Sequence, residues 1–131
     1  MIKFKYQSEP SNLGEILRPV ADVMLESNGL KVEVFMYIDS GADITMIPFR
    51  FGKALGFKQN PSDEIFEIKG VSGGGVPYIV KRTKLILNGK KLNIRLAWAL
   101  IEEVPLLLGR MDIFSKFKVI FNERQKSIVF Y

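Results

Sequence analysis

Asp39 is the residue of this chain best placed to do chemistry. It follows an apolar run, Phe35-Met36-Tyr37-Ile38, and opens the segment Asp39-Ser40-Gly41-Ala42-Asp43. A carboxylate at the end of an apolar strand is partly removed from solvent. The Ser40 hydroxyl beside it can bond backbone or a neighbouring carboxyl group. Gly41 lets the backbone approach closely, with no Cβ in the way. These are the needs of a carboxylate that holds and positions a water. Asp-Ser-Gly is also an ordinary turn sequence at a strand end, so the remaining chain has to discriminate.

Composition removes most competing chemistries. There is no cysteine and no histidine. A Ser-His-Asp or Cys-His centre needs an imidazole base, and common zinc sites need His or Cys ligands. Acid–base work in a hydrolase then falls on carboxylates, lysine or tyrosine. The 131 residues, 47% apolar and 25% charged, suit one soluble globular domain spanning 1–131 with a core that needs no disulfide. The net charge of +5 favours anionic partners only weakly. Met1-Ile2-Lys3-Phe4-Lys5 carries charge where a signal peptide needs an apolar run. The longest apolar stretch, 92–108, is interrupted by Arg95, Glu102, Glu103 and Pro105. A cytoplasmic protein without membrane contact is expected.

The elements that must position Asp39 read mostly as strands. Ile2, Phe4 and Tyr6 alternate with lysines, as in a half-buried strand. Residues 8–18 read as polar and irregular. Strands over 20–26 and 30–38 flank Asn28-Gly29, a two-residue hairpin signal. Leu30, Val32, Val34, Met36 and Ile38 share one face. A short helix is expected over 48–55, with Pro48 in its first turn and Gly56 just past its end. A strand at 65–68 leads into a glycine-rich stretch, Gly70-Val71-Ser72-Gly73-Gly74-Gly75. Strands at 78–87 and 91–98 flank a second hairpin signal, Asn88-Gly89. Leu92, Ile94, Leu96 and Trp98 share a face. Pro105 to Gly109 reads as a short buried strand, 111–116 as about one helical turn, and 117–121 with 127–131 as a hairpin. A weak internal echo runs through the chain. Each half reads hairpin, apolar strand, glycine, then Asp-Ile, at Asp43-Ile44 and at Asp112-Ile113.

Three segments in order resemble the retropepsin-like aspartic proteases: Asp39-Ser40-Gly41-Ala42, then Ile68 to Val76 with its glycines, then Leu107-Leu108-Gly109-Arg110. The likeness spans about residues 20–115. It implies an all-β, closed barrel-like fold with one or two short helices, and a peptide-bond hydrolase working as a homodimer without metal or cofactor. Asp39 is then the catalytic acid/base, shared with the Asp39 of a second copy. Ser40 bonds across the dimer axis, Gly41 offers its carbonyl to substrate, and Ala42 completes the loop. Val71, Ser72, Gly73, Gly74 and Gly75 form a flap over bound peptide. Leu107, Leu108 and Gly109 support the loop from beneath, and Asp43 with Arg110 forms a structural ion pair. Two features depart from the family: three consecutive glycines at the flap tip, and a further hairpin beyond Arg110.

Other readings weigh less. A catalytically inactive dimerisation or peptide-binding module would share every one of these motifs. Lys81, Arg82, Lys84, Lys90, Lys91 and Arg95 surround the second hairpin, where nucleic-acid phosphates would bind a basic barrel. No aromatic stacking platform adjoins them, so a solvated strand face is expected and no nucleic acid. Core packing is expected for Trp98, Phe35 and Tyr37, and loop solvation for Glu102 and Glu103.

Overall fold

Two Asn-Gly turns frame the barrel. Asn28 and Gly29 have φ of 54° and 73°, and Asn88 and Gly89 have φ of 47° and 84°. Positive φ at both central residues matches the right-handed twist of the flanking strands. The first turn joins β4 (Val20–Ser27) to β5 (Leu30–Ile38), and the second joins β8 (Gly75–Leu87) to β9 (Lys90–Ala99). The computed structural model describes residues 1–69 and 74–131.

Each hairpin is followed by a loop and a short strand: β6 (Thr45–Ile47) after the first, β10 (Leu107–Leu108) after the second. These short strands are exchanged between the halves. β10 lies parallel to β5, with Leu107 opposite Tyr37 and Leu108 opposite Ile38. β6 lies parallel to β9, with Thr45 opposite Leu96 and Ile47 opposite Trp98. β6 and β10 meet antiparallel at Met46 and Leu107. The internal echo in the sequence is therefore a structural duplication whose halves interlock. Pairing of β4 with β8, Leu25 opposite Leu85, closes the ring β4-β5-β10-β6-β9-β8. Closure leaves these strands no open edge. β7 (Phe66–Lys69) pairs only with the first residues of β8, as a ribbon standing off the barrel.

Alternation fills the interior. Val34, Met36 and Ile38 of β5 face inward with Leu92, Ile94, Leu96 and Trp98 of β9. Burying each large side chain contributes about 1.5–3 kcal/mol. Leu30 has the inward parity but sits at the rim beside the turn, 46% exposed. Phe35 has the outward parity and is 53% exposed, which corrects the expectation of core packing. Tyr37, also outward, is half-buried because its hydroxyl donates to Glu9 at 2.6 Å.

Glu9 belongs to a hairpin where irregular chain was expected. β2 (Gln7–Ser11) pairs with β3 (Gly14–Arg18) through the whole segment. Its turn is closed by Ser11, whose Oγ accepts the Leu13 N–H at 3.0 Å and donates to the Gly14 carbonyl at 2.8 Å. Pro10 and the exposed Leu17 obscure the alternation, and Glu9 accepts from Arg18 within the hairpin and from Tyr37 of β5, which fastens the hairpin to the barrel. A third sheet joins the two ends of the chain in the order β1 (Ile2–Lys5), β12 (Ser127–Phe130), β11 (Val119–Asn122). Phe130 is fully buried there, edge-on to Phe4 and Phe117. The helical turn expected over 111–116 is a 3-10 turn at Phe114–Lys116.

Helix α1 (Phe49–Ala54) starts one residue after Pro48, which stands at the N-cap and supplies no side-chain acceptor. Glu102 performs the cap from the distant loop. Its carboxylate accepts the Arg50 backbone N–H at 2.7 Å and the Arg50 guanidinium at 2.8 Å. Loop solvation was expected for this residue. The helix seats on Trp98, whose indole stacks on Phe49 with ring centres 5.2 Å apart and donates to the Phe49 carbonyl at 3.0 Å. A Cβ on Gly52 would lie 2.1 Å from the Trp98 Nε1. Gly52→Ala therefore destabilises the protein although alanine is the better helix former. A loss of about 1–3 kcal/mol in urea unfolding is expected; a stabilised variant would contradict this packing.

Candidate active site

The interlock of the two halves decides where Asp39 sits. Asp39 is the first residue beyond β5, and its backbone N–H donates to the Leu108 carbonyl at 3.0 Å. The chain then turns, with the Ala42 N–H donating to the Asp39 carbonyl at 3.2 Å. Inside that turn the Gly41 N–H donates to Asp39 Oδ1 at 2.8 Å. One carboxylate oxygen is thus held by backbone. Asp39 is half-buried, while Ser40 and Gly41 are exposed.

Support comes from below, through atoms and a residue the motif reading did not single out. Thr45 is fully buried, and its Oγ1 accepts the Gly109 N–H at 3.1 Å. A Cβ on Gly109 would lie 2.4 Å from the Ile44 carbonyl carbon, so the two chains touch at backbone distance. The contact continues as the Arg110 N–H donates to the Ala42 carbonyl at 2.9 Å and the Met111 N–H to the Asp43 carbonyl at 2.8 Å. Thr45 did carry a signal: it is the one hydroxyl within Ile44-Thr45-Met46-Ile47, an otherwise apolar run.

The expected ion pair between Asp43 and Arg110 is not formed among the described residues; both side chains are exposed. The guanidinium partner belongs instead to Asp112, the matching acid of the second half. Arg95 reaches Asp112 with Nε to Oδ2 and Nη2 to Oδ1, both at 2.9 Å, and its backbone N–H adds a third bond. The side-chain bond from Arg95 is the main reason the Asp112 carboxyl is held down at about 2; partial burial opposes it. Asp112 also has a φ of 65°, a backbone conformation that Asp and Asn tolerate better than most residues.

Above the loop lies a cavity of about 430 Å³. Gly41, Ala42 and Asp43 form one side, and Glu103, Val104 and Pro105 another. Ile44, Met46 and Leu107 make the floor, and Ile68, Val76 and Tyr78 of the β7–β8 ribbon the remaining wall. The ribbon is braced by Phe66 stacked on Tyr78, ring centres 5.5 Å apart. Of the expected flap residues, Val71, Ser72 and Gly73 lie outside the described residues. Gly74 is exposed, and Gly75 opens β8 opposite Lys69, with the Glu67 side chain where a Cβ would stand. Leu108 and Gly109 are buried behind the loop, and neither Asp39 nor Ser40 lines the cavity.

None of the basic residues around the second hairpin lines this cavity, and two of them are engaged in ion pairs. Lys81 pairs with Asp63 at 3.2 Å and Arg95 with Asp112, while Arg82, Lys84, Lys90 and Lys91 are exposed strand-face residues. Among the described residues, no group of three or more His, Cys, Asp or Glu side chains is placed to hold a metal ion. No helix among them is long and apolar enough to cross a membrane.

Two measurements test this support. Thr45→Val keeps the shape but leaves the buried Gly109 N–H without an acceptor, which should cost about 1–3 kcal/mol in chemical denaturation. Full retention of stability would show that the bond contributes nothing. For Asp112, the folded-state pKa of about 2 lies below the ordinary 3.8. The stabilisation is complete above the ordinary value and disappears as pH falls toward 2. Asp112→Asn keeps the left-handed backbone accessible. Its stability deficit should therefore be constant near neutrality and vanish between pH 4 and pH 2; a pH-independent deficit would mean the charge is irrelevant.

No protein-family model and no curated protein matches the chain. Solved structures do. The chain is similar to the EIAV protease complexed with an inhibitor, with 23% identity, a TM-score of 0.58, and 76% of this chain and 86% of that chain covered. It is also similar to a retropepsin-like aspartic protease from Rickettsia conorii, with 16% identity, a TM-score of 0.65, and 98% of each chain covered. The closed barrel with exchanged short strands is accordingly the retropepsin-like aspartic protease fold.

Proposed function

We propose that this chain is an aspartic endopeptidase whose active species is a symmetric homodimer, with one Asp39 from each copy. The whole of 1–131 acts as one catalytic half. The observation that carries the reading is the placement of Asp39. Its peptide N–H is fixed by Leu108, one carboxylate oxygen is fixed by the Gly41 N–H, and the loop that follows it, Gly41 to Asp43, lines a cavity of about 430 Å³. The fold supports the same reading, since both similar structures bear protease names.

The chemistry follows from pairing two carboxylates. At about 3 Å, two negative charges cannot both persist, so the pair shares a proton. The ionised member takes a proton from a bound water as the water attacks the scissile carbonyl. The protonated member donates to the carbonyl oxygen, and the resulting tetrahedral species collapses as the amine leaves with a proton. One chain supplies only one Asp-Ser-Gly. Asp112 cannot be the second carboxylate, because it is committed to Arg95. Two-fold symmetry supplies the missing group from a second copy. In this arrangement Ser40 bonds across the axis, and Val71 to Gly75 cover the bound peptide.

Asp39→Asn keeps the shape and removes the base. Peptide cleavage should fall by about 10²–10⁴-fold with the thermal transition retained. Mixing wild-type chain with excess Asp39→Asn chain should suppress activity beyond simple dilution, because mixed dimers hold one carboxylate. Activity strictly proportional to wild-type chain would refute the shared site. Peptide binding without cleavage by the wild-type chain would leave a non-enzymatic peptide-binding module.

A further inference from the structure

The cavity lined by the loop after Asp39, from Gly41 to Asp43, joins two kinds of surface. Its floor and one wall are apolar, built by Ile44, Met46, Val76 and Leu107. Its mouth carries two exposed carboxylates, Asp43 and Glu103. Neither takes part in an ion pair among the described residues. The neighbouring Glu102 is occupied with Arg50 and the N-terminus of α1. That occupation, with the Val104 N–H donating to the Glu102 carbonyl at 2.8 Å, fixes the loop from which Glu103 projects.

Resting on the protease reading above, we infer that this cavity selects a lysine or arginine side chain of the substrate, and that Glu103 is the specificity-determining residue. Lysine and arginine lay an aliphatic stem along apolar surface while the charged head stays at the solvent boundary. A cavity with an apolar floor and an acidic mouth offers both halves of that arrangement. A purely aliphatic substrate side chain would leave the carboxylates unused, and an acidic one would meet like charge. The acidic mouth also stands out on a chain whose net charge is +5, so it is a local feature rather than the sign of the whole surface. A carboxylate that accepts from an ammonium or guanidinium group makes a charge-assisted bond, stronger than one between neutral groups.

The test uses the full chain carrying Asp39→Asn, immobilised, so that binding is read without cleavage. The probe is a positional-scanning decapeptide library, each position fixed in turn as lysine, arginine, norleucine or glutamate with the others randomised. Norleucine has the lysine stem without its charge. At one position lysine and arginine should be retained about five- to tenfold over norleucine. Adding Glu103→Gln should bring that ratio near one. Equal retention of lysine and norleucine, or a ratio indifferent to Glu103→Gln, overturns the inference. Cleavage of the same library by the chain with Asp39 intact is scored separately. Asp39-dependent cleavage without a basic preference sinks only this inference. Absence of both retention and cleavage sinks it together with the protease reading.

Discussion

The contact between Gly109 and the Ile44–Thr45 backbone is the constraint on which the rest depends. Main-chain groups that leave water need partners, and here each half of the barrel provides them for the other. The Leu108 carbonyl receives the Asp39 N–H, and the Thr45 hydroxyl receives the Gly109 N–H. Neither β6 nor β10 is long enough to persist by itself, at three residues and two. Each exists because a long strand of the opposite half lies alongside. Joining β5 to β10 closes a loop that contains most of the barrel, but loop-closure entropy grows only logarithmically with length. The cost is felt more in the rate of folding than in the stability of the product.

The same constraint makes the candidate site rigid at its base and open at its top. Asp39 is bound through its N–H and through one carboxylate oxygen, whereas Ser40 and Gly41 remain exposed. The two Asp-Ile pairs of the duplicated halves have diverged in duty. Asp112 is locked by Arg95 in a three-bond cluster, and Asp43, which has no ion pair among the described residues, lines the cavity while its carbonyl receives Met111. A similar division separates Glu102, which caps α1, from Glu103, which faces the cavity. In both cases one acid of the two is bonded to a guanidinium and a backbone N–H, Glu102 to Arg50 and Asp112 to Arg95.

Much of this was legible in the chain. Asn28-Gly29 and Asn88-Gly89 supply the positive φ of their turns, and alternation along 32–38 and 92–96 assigns the inward face. The absence of histidine and cysteine confines the chemistry to other groups, and Asp-Ser-Gly-Ala after an apolar strand names the carboxylate. These are local signals: each depends on a residue's own backbone preference or on its immediate neighbours. The β2–β3 hairpin escaped because its alternation is broken by Pro10 and an exposed Leu17, and its hold on the barrel depends on Glu9 meeting Tyr37, far along the chain. The assignment of Arg95 to Asp112 rather than Arg110 to Asp43, the Thr45 bond, and the capping of α1 by Glu102 likewise join residues distant in sequence. Sequence spacing carries no information about which donor arrives beside which acceptor. Only closure of the barrel decides that, because it fixes which strand lies next to which and so which donors and acceptors meet.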